Sequence, residues 1–113
     1  MKINVKELVG IHAISMQSGQ FLYKDIQKNL SKYSKIQVDF DGVKFFASPF
    51  FNASFGYLLK DSSVEMLMAQ IEIQNISVVG RRLLNLVITN AINFYKNSNE
   101  QNNLIISKNA DEI

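Results

Sequence analysis

The stretch Ile36-Gln37-Val38-Asp39-Phe40-Asp41-Gly42-Val43-Lys44-Phe45-Phe46-Ala47-Ser48-Pro49-Phe50-Phe51-Asn52-Ala53-Ser54-Phe55-Gly56 says more about the fold than the rest of the chain. Ile36, Val38 and Phe40 alternate with polar residues, the two-residue period of a strand with one buried face. Asp41-Gly42 supplies turn chemistry, because glycine takes positive φ without a steric cost. Val43 to Phe46 is a short apolar extension, and Ser48-Pro49 then reads as a helix start. Ser48 is expected at the N-cap, its hydroxyl accepting a free backbone N–H. Pro49 then takes the first helical position, where its missing N–H costs nothing. Phe51, Phe55, Leu58 and Leu59 give this helix a core face, and any function is expected at the junction.

Upstream, Ile3, Val5 and Leu8 predict a first strand ending at Gly10, and Ile11 to Ile14 a second strand forming a hairpin with it. Ser15 or Ser18 offers an N-cap for a helix carrying Phe21, Leu22, Ile26 and Leu30 at helical spacing, to about Tyr33. Downstream, Asp61-Ser62-Ser63 ends the second helix and caps a short one through Met68. Ile71 to Gln74 reads as a strand, and Ser77 opens the longest helix, with Leu83, Leu84, Val87, Ile88, Ala91 and Tyr95 buried. Strands separated by helices of this length imply a mainly parallel sheet. The expected fold is α/β, a small mixed, mainly parallel sheet of four to five strands with helices packed on it, ordered ββαβα(α)βα. One domain is expected over residues 1–97. Residues 98–113 read as a polar, flexible tail with Leu104-Ile105-Ile106 as an apolar island.

Composition narrows the function. A chain of 113 residues supports one core. The absence of cysteine removes disulfides, thiolate metal sites and cysteine nucleophiles, and His12 is the sole histidine. No metal or cofactor site is therefore expected. No signal-peptide pattern or run of about 18 apolar residues is present, so a cytoplasmic location away from membranes is expected. Lys24, Lys28, Lys32 and Lys35 share one helix face, which reads as a solvated stripe and not a nucleic-acid footprint.

Several separated motifs together resemble the STAS domain, the fold of bacterial anti-sigma-factor antagonists. They are similar, more closely, to a STAS-like family catalogued as a domain of unknown function. The resemblance covers roughly residues 3–97. It rests on Val5-Lys6-Glu7-Leu8-Val9-Gly10, on Ile14-Ser15 leading to Gly19, and on Val38-Asp39-Phe40-Asp41-Gly42-Val43. Ser48-Pro49-Phe50-Phe51-Asn52-Ala53-Ser54-Phe55-Gly56 and Asn90-Ala91-Ile92-Asn93-Phe94-Tyr95 complete it. In phospho-switch members of the wider superfamily, an Asp-Ser-Ser-Gly segment stands where this chain has Ala47-Ser48-Pro49-Phe50. Pro49 falls at the phosphoacceptor and has no hydroxyl, so that switch is absent in this register; Ser48 could accept phosphate only after a one-residue shift.

The candidate partner- or ligand-binding residues are Ser48, Pro49, Phe50, Asn52, Arg81 and Arg82. The helix start could hold an anion or a partner's carboxylate. Phe50 is turned about 100° from Phe51 on a helix of ~3.6 residues per turn, so it either faces a partner or packs under the adjoining loop. Asn52 reads as a hydrogen-bonding brace for that loop, and Arg81-Arg82 as a wet face or a grip on an acidic partner. Asp39 and Asp41 share a strand face without a third ligand, which reads as a turn plus a solvated carboxylate. His12 has no hydroxyl or carboxylate partner in sequence, and no nucleophile–base pair is found. The expected function is thus a non-catalytic regulatory or adaptor module binding a protein through the loop and N-terminus of the second helix. The resemblance implies partners such as a histidine-kinase-like ATPase or another signalling protein. The alternative is a sensor of a small anionic ligand or nucleotide at the same helix N-terminus. Self-association through the 104–106 island is a further expectation.

Overall fold

Val38 is the centre of the main sheet: fully buried, it stands in register with Ile3 on one side and Ile73 on the other. The computed structural model describes the backbone of residues 1–112 and the side chains of residues 1–95. The three strands are β1 (Lys2–Asn4), β3 (Ile36–Asp39) and β5 (Ile71–Gln74), all parallel in the order β1-β3-β5. A second parallel pair joins β2 (His12–Ala13) to β4 (Phe45–Phe46). The expected α/β class with mainly parallel strands is observed, divided between two small sheets.

The amino-terminal hairpin expected from the sequence does not form. After β1 the chain enters a short helix, α1 (Val5–Val9), because Asn4 caps it by accepting the N–H of Glu7 at 3.0 Å. Gly10, at φ 83°, closes that turn by donating to the Lys6 carbonyl. Ile3 and Val5 are both buried, but they belong to different elements, so the apparent alternation was accidental. The next strand then pairs with β4, not with β1.

The longer elements follow their local chemistry. Ser15 caps α2 (Met16–Leu30) by accepting the N–H of Ser18, and Ser63 caps α4 (Val64–Gln70) by accepting that of Met66. Ser77 accepts the N–H of Gly80 at the start of α5 (Val78–Glu112). The side chains of the 104–106 apolar group and of the expected tail lie outside the described residues. Among the described residues no helix is long and apolar enough to cross a membrane.

Phenylalanines from the decisive stretch form an aromatic cluster. Phe46 stacks on Phe51 at a 5.9 Å centroid separation, while Phe40 lies 6.0 Å from Phe46 and 6.1 Å from Phe51. Phe50 meets Phe51 edge-on at 5.3 Å, and both are fully buried. Burial of each such side chain contributes ~1.5–3 kcal/mol.

Candidate functional site

The strand–helix junction is set by main-chain pairing one residue earlier than the sequence suggests. The N–H of Ala47 donates to the carbonyl of Ala13 at 3.0 Å, extending the β2–β4 ladder and holding Ala47 at φ −146°. The chain can turn into helix only after that bond, so Ala47 is the N-cap and Ser48 the first residue of α3 (Ser48–Phe51). Ser48 makes no capping hydrogen bond and is half-buried, which corrects its expected role. Pro49 offers no N–H, and that of Phe50 is spent on the Ala47 carbonyl at 3.2 Å. The anion cradle expected at this helix start is correspondingly reduced.

Of the two positions expected for Phe50 the inward one is observed, which removes it from the candidate contact residues. It is fully buried, so it cannot touch a partner. Its position follows from α2, whose Gly19 lies against the main chain at Phe50: a methyl group there would run into the Phe50 carbonyl and stand 2.8 Å from the Ala53 side chain. The same carbonyl accepts the buried Ser54 hydroxyl at 2.9 Å. Asn52 to Gly56 continue the helix as a π turn, a form that often marks functional sites.

With Phe50 turned inward, the residues around it shape a groove. Pro49 and Asn52 are exposed, and with Ala53 and Tyr57 they face Met16, Gln20, Tyr23 and Lys24 of α2 across a groove of about 680 Å³. Tyr23 and Tyr57 meet edge-on at 4.8 Å. Burial, then the neighbouring Tyr57 and Asp61, hold the Tyr23 phenol above its ordinary pKa against an opposing effect of Lys60. It is therefore neutral at physiological pH. Asn52 lines this groove instead of bracing the loop, and a further depression adjoins it on the α5 side. The sequence did signal α2, but not that Met16, Gln20 and Tyr23 would meet the second helix. That juxtaposition is tertiary.

The other candidates lie elsewhere. Arg81 and Arg82 are exposed on α5, and Arg81 lines a separate depression along β5 with Lys35, Met68 and Glu72. His12 is exposed and stacks on Phe45, its partner across the β2–β4 ladder, at 5.0 Å. Asp39 corrects the expectation of a solvated carboxylate: it is 4 % exposed and joins three segments. Its Oδ1 accepts Asn75 Nδ2 and the Asp41 N–H, each at 2.9 Å, and its Oδ2 pairs with Lys2 at 3.1 Å. These hydrogen bonds, with that from Asn75 foremost, hold its pKa below the ordinary value. Among the described residues no group of three or more His, Cys, Asp or Glu is placed to hold a metal ion.

Two small parallel sheets, helices packed on them and a helix start tied to the second sheet define a small α/β domain of STAS-like architecture. The family model described as a STAS-like domain of unknown function (DUF4325) matches residues 18–81, and the chain belongs to that family. The match takes in most of α2, the junction and the start of α5, and leaves Val5–Gly10 and Asn90–Tyr95 outside. No curated protein and no solved structure matches the chain.

Proposed function

We propose that this chain is a non-catalytic regulatory or adaptor module that binds a protein partner through the groove between α2 and the helix beginning at Ser48. The observation that carries this reading is the surface of that groove. Met16 is 61 % exposed and Tyr57 45 % exposed, and both line the groove together with Pro49, Gln20, Lys24 and Asn52. Exposed apolar and aromatic groups mixed with uncharged polar ones are a composition suited to a protein-contact surface. A signalling partner, such as a histidine-kinase-like ATPase, fits the STAS-like family. Pro49, Asn52 and Tyr57 take the contact role, in place of Phe50.

Affinity capture from the native cell extract tests the reading. The parent chain is expected to retain a specific protein that Met16→Asp and Tyr57→Asp fail to retain. Equal capture by the parent and both folded variants would overturn it.

A further inference from the structure

Two depressions meet at Asn52. One is the groove of about 680 Å³ that carries the proposed function; the other, of about 240 Å³, is lined by Asn90 and Phe94 of α5. Gln20, Asn52 and Asn90 thus place three exposed amides across the two adjoining depressions, which together form a trough over Asn52. Side-chain amides engaged in hydrogen bonds among the described residues are those of Asn4, Asn29, Gln70, Gln74 and Asn75. The three in the trough are left to solvent. Tyr57 lines the first depression and Phe94 the second, 45 % and 66 % exposed.

An amide carries both an acceptor and two donors, so one side chain can satisfy the N–H and the C=O of a passing main chain. A helix keeps those groups to itself. An extended segment offers them, advancing ~3.3 Å per residue with side chains to alternate sides. Tyr57 and Phe94 supply aromatic surface for those side chains. The charge is also directional. Among the described residues ion pairs engage Lys2 and Lys28, so Lys24 in the trough has no carboxylate within 4.0 Å. Lys60 lies 5.4 Å from the centre of the Tyr57 ring and is engaged there by a cation–π contact.

We infer that the trough binds an extended segment of a partner protein, its main chain held by Gln20, Asn52 and Asn90, its apolar side chains on Tyr57 and Phe94, and an acidic residue at Lys24. This inference rests on the proposed function and names the kind of partner segment that site takes.

A phage-displayed library of random linear peptides, selected on the whole chain, provides the probe. Enriched peptides are expected to carry Asp or Glu to one side of apolar residues. Labelled copies should bind Asn52→Ala about tenfold more weakly than the parent, and Lys24→Glu should favour the same peptides with Lys replacing the acid. Both variants change exposed side chains, and unchanged circular dichroism confirms their fold. Enriched peptides that bind both folded variants as well as they bind the parent would overturn the inference. A folded partner captured through Met16 and Tyr57, with no linear peptide enriched, overturns the extended-segment inference and leaves the proposed function standing. Neither capture nor enrichment overturns both.

Discussion

Asn75 donates its side-chain amide to Asp39 Oδ1 at 2.9 Å from a backbone held at φ 56°. It thereby ties the segment after β5 to the end of β3, while Lys2 ties β1 to the same carboxylate. Asparagine tolerates the left-handed region better than most residues, and its amide is the donor the buried carboxylate needs.

Two substitutions separate these contributions. Asn75→Gly removes the hydrogen bond to a charged acceptor but suits the positive φ, and should cost about 1–2 kcal/mol. Asn75→Ala removes the bond and adds left-handed strain, for about 2–4 kcal/mol in total. Chemical denaturation of the two variants checks the order: Gly is expected to be the more stable.

Acid should loosen the same knot. The folded-state pKa of Asp39 lies below its ordinary value of 3.8, so the unfolded chain takes up a proton first. Its contribution to stability is fully present above that value and is lost as pH falls through the lower, folded-state pKa. Urea midpoints measured through this acid range should fall for the parent. Asp39→Asn should lie lower at neutral pH and show a flatter dependence.

Gly19→Ala tests the contact between α2 and the main chain at Phe50. Its methyl group would meet a carbonyl oxygen, which cannot rotate away as a side-chain end could. Overpacking of this kind costs about 1–3 kcal/mol. The thermal midpoint should drop.

Phe50 and Tyr57 should behave in opposite ways. Phe50→Ala opens the core and should destabilise the chain by about 3–5 kcal/mol, because its ring is fully buried. Tyr57→Ala loses chiefly its edge-on contact with Tyr23, about 0.5–1.5 kcal/mol, and should remain folded while losing the captured partner. Calorimetry alongside capture distinguishes the two.

Local chemistry was readable wherever a neighbour in sequence makes the decisive bond. The Ser15 and Ser63 caps each need an N–H three residues on, and the strands Ile36–Asp39 and Ile71–Gln74 need only their apolar period. Even α1 left a trace, in Asn4 three residues before Glu7, although the alternation of Ile3 and Val5 pointed to a strand. The pairing of β2 with β4 left none, since each strand is two residues long and the bond from Ala47 to Ala13 spans a whole helix. That bond moved the cap from Ser48 to Ala47, and α2 closing at Gly19 accompanied the turn of Phe50 into the core. The groove followed, because Met16, Gln20 and Tyr23 meet Asn52 and Tyr57 only once α2 packs on the second helix. Caps and periods are short-range and survive in any single sequence. Burial and juxtaposition depend on which distant surfaces close on each other, and that is a property of the packed chain.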